Sequence, residues 1–175
     1  MKNVRCSLYC ATAMTGRTGK DLWAEVQTVQ PIYEKHGLTF ITPIIGEGIE
    51  PDKEKIKDRT NAEMLTIWKK KDKQQIRDAN VFVYICPKYT SQGIMKEYCL
   101  ARGVCWKPTI GVYLDIHPGF ITREEDDIVA SSHEEAAQLI AKRFGTRTKR
   151  NIWRLKLLIK KVPKWLKQQI REFFL

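Results

Sequence analysis

The stretch Ser91-Gln-Gly-Ile-Met-Lys-Glu97 holds the most specific chemical opportunity in the chain. Gly93 opens a predicted helix and Glu97 falls one turn later among the apolar residues Ile94, Met95, Tyr98 and Leu100, so its carboxylate is expected to face the end of a sheet. The competing reading is an exposed helix carboxylate paired with Lys96 or Arg102, the commoner fate of a glutamate. Asp72 is the second carboxyl candidate, near the start of the helical turn that leads into the third strand. Its default reading is a solvated member of the run Lys69-Lys-Lys-Asp-Lys73. A pair of carboxyl groups with divided labour suits nucleophilic and acid–base work.

Thr12-Ala-Met-Thr-Gly-Arg-Thr-Gly-Lys20 is the other rich segment. Its glycines, hydroxyls and cations lie between a strand end and a helix start, where free backbone N–H groups and the helix dipole favour an anion such as phosphate. It is not a Walker loop, because Gly16 and Gly19 are too close together and Lys20 is followed by Asp21. An ordinary polar strand-to-helix turn fits the same residues.

The elements that must carry these loops follow from periodicity. Val4 to Cys10 reads as a first strand, Asp21 to His36 as a helix with Leu22, Val26, Val29 and Tyr33 on one face, and Gly37 as its stop. Leu38 to Pro43 is a second strand, Ile44 to Pro51 a loop, and 52–79 a charged, mostly helical region. Val81 to Cys86 is a continuous apolar run, as expected of a strand buried on both faces. A helix from about Gly93 to Arg102, a strand over Thr109 to Leu114, a short strand at Ile128–Val129 and a helix to Phe144 complete the alternation. Ser131 and Ser132 with Glu134 and Glu135 form a capping box for the last of these. The result is an α/β fold, a doubly wound, flavodoxin-like parallel sheet of four to five strands. Such sheets bind ligands beyond the carboxyl ends of their strands, which directs attention to the loops named above.

A chain of 175 residues with 43% hydrophobic content supports one real core and excludes collagen-like or fully disordered readings. The formal charge is +11, but residues 1–140 hold 19 basic and 19 acidic side chains, whereas 141–175 hold 12 basic and one acidic, Glu172. The basic character is therefore local to the C-terminal end, and the pI does not make the body a nucleic-acid binder. Five cysteines, none in a Cys-x-x-Cys pair, and no signal-like N-terminal run fit a reducing cytoplasm. Cys6 and Cys10 share one strand face and are expected to be buried free thiols. His36, His117 and His133 lack ligand spacing, so no metal is expected.

The segment from Asp72 to Ala101 resembles the nucleoside 2-deoxyribosyltransferase-like family, and within it the branch of 2′-deoxynucleoside 5′-monophosphate N-glycosidases. That family pattern is an Asp, an Ala seven residues on, an apolar strand, and Ser-x-Gly-x-x-x-Glu-x-Gly-x-Ala. The matching residues are Asp72, Ala79, Val81 to Tyr84, Ser91, Gly93, Glu97 and Ala101, and at the amino end Tyr9 followed by Thr12-Ala-Met-Thr-Gly16. The likeness spans about residues 4–144. It departs from the pattern at Cys99 (family Gly), at Asn80 (often Asp) and at Thr15, where an Arg is usual and Arg17 is the substitute.

The resemblance implies that Glu97 is the nucleophile at C1′ of a deoxyribose, forming a covalent glycosyl-enzyme that water or another base resolves. It implies that Asp72 donates a proton to the leaving base or orients the sugar, and that Tyr9 hydrogen-bonds Glu97 or the sugar. Thr12, Thr15, Gly16, Arg17, Ser91 and Gly93 would hold a 5′-phosphate, and Trp68 or Tyr89 would stack on the base. No cofactor is implied, and a homodimer or larger assembly is expected. The alternatives are a base-exchanging deoxyribosyltransferase, a TIR-like NAD glycohydrolase and a non-catalytic nucleotide-binding module.

A catalytic domain over 1–145 and a tail over 146–175 are expected. After a short basic linker, Gly145 to Arg150, the residues Trp153, Leu155, Leu158, Ile159, Val162, Leu166, Ile170 and Phe173 recur at helical spacing, with lysines and arginines mainly elsewhere. This is a C-terminal basic amphipathic helix, divided or kinked at Pro163 and too charged to span a bilayer. Three uses compete for residues 151–175: docking on another subunit or partner, lying on an anionic membrane at its inner surface, and, least favoured, contact with nucleic acid.

Overall fold

The computed structural model describes residues 5–13, 17, 19–44, 71–86, 92–114 and 126–161, with 157–161 as backbone only. Strands β1 (Ser7–Ala11), β2 (Thr39–Ile41), β3 (Val81–Ile85), β4 (Thr109–Val112) and β5 (Ile128–Ala130) form one parallel sheet in the order β2-β1-β3-β4-β5. The helices are α1 (Gly19–Lys35), α2 (Lys73–Asp78), α3 (Gln92–Cys99), α4 (His133–Phe144) and α5 (Arg147–Lys161). A wide π-helical turn, Leu100–Val104, follows α3. This is the expected doubly wound, flavodoxin-like architecture, with the short fifth strand present.

Alternation along the strands divides the core in two. Leu8, Cys10, Val81, Val83, Ile110 and Val112 pack with the buried residues of α1 and α4, while Tyr9, Ala11, Phe82, Tyr84 and Tyr113 pack with those of α2 and α3. Because helices cover both faces, β3 is apolar without interruption, as its sequence indicates. Leu22, Val26, Val29 and Tyr33 form the buried stripe of α1. Gly37, at φ +73°, ends that helix, with its N–H on the Glu34 carbonyl at 2.9 Å and the Leu38 N–H on Tyr33 at 3.2 Å. Ser132 Oγ caps α4 by accepting from the Glu135 N–H at 3.1 Å, and Glu135 Oε2 accepts from Ser131 N at 2.8 Å. Cys6 and Cys10 are buried free thiols on the α1 side, as expected.

Several boundaries differ from the sequence reading. β1 starts at Ser7, β2 is confined to Thr39–Ile41 and β4 ends at Val112, the residue-to-residue register with the neighbouring strands running only over these stretches. Of the charged region 52–79 only the part from Lys71 is described, and it holds α2. The segment expected as a linker, Gly145 to Arg150, is mostly helical: α5 begins at Arg147, and only Gly145 and Thr146 separate it from α4. Arg150 is the reason, being buried with a guanidinium N–H donated to the Phe144 carbonyl at 2.9 Å, which satisfies an orphan acceptor at the end of α4. Helix α5 runs through Lys161, and the rest of the segment expected as an amphipathic helix, with Pro163, lies outside the described residues.

Candidate active site

The chain turns from β1 to β2 on one side and to β3 on the other, so the switch point lies between β1 and β3, at Ala11–Thr12 and Ile85–Cys86. Tyr9 and Phe82 are register partners just beneath it, and their rings stack at 5.9 Å. Helix α3 descends over this face and presents Ile94, Glu97 and Tyr98 inward. Glu97 is 6% exposed, and its Oε1 accepts a hydrogen bond of 2.9 Å from the fully buried Tyr9 hydroxyl. A carboxylate at this depth is costly to desolvate unless hydrogen-bonded, so Tyr9 both holds it and fixes its orientation. Gly93, exposed one turn earlier on the same helical face, places no side chain above it.

Asp72 is also buried, at 5% exposure, and has helical backbone at the entry to α2. It sits one turn before the buried Ile76, a member of the Tyr9 cluster, and so shares that inward face. Because α2 feeds β3, its first residues lie toward the carboxyl ends of the strands. Both expected carboxyl groups are therefore buried on helices over one face of the sheet, and α2 packs against the turn that continues α3. The exposed alternatives suggested for Glu97 and Asp72 do not occur.

At the end of β1, Arg17 bridges loop and helix. It donates to Thr12 Oγ1 at 3.3 Å and to the Asp21 carbonyl at 3.3 Å, and pairs with Glu25 at 2.5 Å. Thr12 and Arg17 are thus brought together, and Glu25 offsets part of the guanidinium charge. Burial, followed by the charges of Glu25 and Glu97, pushes the Cys10 thiol up. Thr15, Gly16, Ser91, Trp68 and Tyr89 lie outside the described residues. Among the described residues no group of three or more His, Cys, Asp and Glu side chains converges as a metal site would.

A second polar cluster shares this face and was not anticipated from sequence. Tyr84 donates to Asp126 Oδ2 at 2.7 Å and Tyr113 to the same oxygen at 3.1 Å, with the two hydroxyls 2.8 Å apart. Burial pushes the Asp126 carboxyl up to about 6, and the hydrogen bonds from Tyr84 and Tyr113 only partly oppose it. Tyr84 also packs edge-on against Tyr98, the neighbour of Glu97, at 5.8 Å. Strand parity offered one signal, since Tyr84 pairs with Gly111 and Tyr113 lies two residues further on the same face.

No family model matches the sequence, and no curated protein matches it. Solved structures do share the fold. A 2-deoxyribosyltransferase from Bacillus psychrosaccharolyticus superposes with a TM-score of 0.58 at 13% identity, over 75% of this chain and 90% of that one. A conserved protein from Enterococcus faecalis V583 gives 0.56 at 15% identity, over 81% of this chain and 100% of that one. A Clostridium botulinum CMP N-glycosidase, BcmB, is more distant, with a TM-score of 0.47 at 11% identity over 77% and 97% of the two chains. At such identities the likeness is one of fold.

Proposed function

We propose that this protein is an enzyme of the deoxyribosyltransferase-like type that breaks the N-glycosidic bond of 2′-deoxynucleoside 5′-monophosphates, with Glu97 as nucleophile. The observation that carries the reading is the buried Glu97 carboxylate, held through Oε1 by Tyr9 beneath the switch point of the sheet. The shared fold with a 2-deoxyribosyltransferase and the agreement of Tyr9, Asp72, Gly93 and Glu97 with that pattern support it.

The Glu97 carboxylate, oriented through Oε1 by the Tyr9 hydroxyl, is the attacking group. It bonds to C1′ as the C1′–N bond breaks, the electron pair passes to the base nitrogen, and a proton from Asp72 completes the free base. The anionic carboxylate stabilises the oxocarbenium-like charge before capturing it. Water then attacks C1′, the ester bond to Glu97 breaks, and Asp72 regains the proton. If a second base captures C1′ instead of water, the same intermediate leads to base exchange.

The test incubates the protein with the four deoxynucleoside monophosphates and their ribose counterparts, with and without an added free base, and separates products by chromatography. Base and deoxyribose 5-phosphate are expected from a deoxynucleotide, and Glu97→Ala and Glu97→Gln are expected to abolish release while still unfolding cooperatively. Undiminished release by a folded Glu97 variant refutes the assignment.

A further inference from the structure

Among the described side chains, helix α5 is fastened to the domain along one side. Trp153 packs edge-on against Phe144 at 6.0 Å and donates its ring N–H to Asp127 at 3.3 Å, and Arg150 is buried against the end of α4. These anchors turn Ile152 and Leu155, three residues apart and on one stripe, outward, leaving them 49% and 58% exposed. Beside the stripe, a cleft of about 320 Å³ between α4 and α5 is lined by Phe144 and Trp153 together with Lys142, Arg143, Lys149 and Lys156. Asp127, also on its wall, is already engaged by Arg102 and Trp153.

We propose that this face docks on an anionic lipid bilayer, with lipid phosphates received among the four cations and Ile152 and Leu155 set into the headgroup–acyl boundary. Charge complementarity selects this occupant. Residues 141–175 carry 12 basic side chains against one acidic, while 1–140 are balanced at 19 each, so the net charge that draws an anionic surface is concentrated in this part of the chain. A nucleic acid would use the cations but has no use for an exposed aliphatic pair. A second copy docking isologously would bring the same cations against themselves. No described helix is long and apolar enough to cross a membrane, so α5 lies on the surface, as a basic amphipathic helix does.

Sedimentation of the full chain with phosphatidylglycerol or phosphatidylcholine vesicles tests the proposal. Binding to the anionic vesicles only, weakened by salt, is expected. Each basic side chain near such a surface contributes about fivefold, so Lys149→Gln with Lys156→Gln should weaken partitioning by about 25-fold. Ile152→Ser with Leu155→Ser should weaken it at unchanged charge, and all four positions are exposed, so melting should be unaffected. The proposal is overturned if the full chain stays in the supernatant, if both lipids bind it equally, or if either double variant partitions like the parent. Full displacement from vesicles by millimolar inorganic phosphate, duplex DNA binding without vesicle binding, or a dimer broken by the serine pair without vesicle binding would overturn it in favour of a free anion, a nucleic acid or a second copy.

Discussion

Replacing Tyr9 with Phe removes a single oxygen from a fully buried ring stacked on Phe82, and with it the donor to Glu97 Oε1 at 2.9 Å. No cavity larger than that atom is created, so the change removes the hydroxyl's polar contacts and leaves the packing in place. A bond to a charged acceptor contributes about 1.5–3 kcal/mol, against about 0.5–1.5 kcal/mol for a neutral pair. In a double-mutant cycle with Glu97→Gln, the Tyr9 hydroxyl should therefore be worth about 1 kcal/mol more when residue 97 is a glutamate than when it is a glutamine. Urea unfolding of the four proteins measures this coupling at neutral pH. The same loss should appear in base release as a roughly 10–100-fold fall in kcat, the rate equivalent of 1.5–3 kcal/mol, with KM moving far less. A purely structural Tyr9 would lower the unfolding midpoint and leave kcat alone. Zero coupling, or an unchanged kcat in a folded Tyr9→Phe protein, refutes the view that this hydroxyl orients a charged Glu97.

Asp126→Asn should reshape the pH dependence of stability. The Asp126 carboxyl, pushed up to about 6 by burial, binds its proton more tightly folded than unfolded, where the group titrates near 3.9. Stability is therefore lost as pH rises from about 4 to about 6, and the Asn variant, which cannot titrate, should gain on the parent by about 1–3 kcal/mol between pH 4 and pH 7. Urea midpoints at several pH values check this, and a constant difference between the two proteins would sink it. Gly111→Ala should be destabilising by about 1–3 kcal/mol, which for a domain of this size lowers the melting temperature by roughly 2–12 °C. The reason is that its Cβ would lie 2.5 Å from Asp126 Oδ2 and from Tyr113 Cε2. A melting temperature within about a degree of the parent would mean that the cluster yields easily.

The sheet and its parity are legible in the sequence because period-two burial and cap chemistry are local properties. Right-handed crossovers then put α1 on one face and α2 and α3 on the other once the chain reverses direction after β2, which is how Glu97 comes to meet Tyr9 across 88 residues of chain. Its inward direction was readable from its apolar neighbours, and that of Asp72 was not, because the flanking lysines describe an exposed run. The misread positions share a cause: composition reports charge, whereas the fold decides whether a charge is spent internally. Arg150 looks like part of a solvated linker, yet it caps α4 from within. Asp126, in the acidic run Glu124 to Asp127, carries no pattern that singles it out, yet Tyr84, Tyr113 and Gly111 make a niche for it. Arg17 looks like a free phosphate ligand, yet Glu25, two turns along in chain order, already claims it. An anion entering the loop after β1 must therefore compete with that carboxylate for the guanidinium, so backbone N–H groups at the start of α1 carry more of any phosphate grip than the side-chain charges alone suggest.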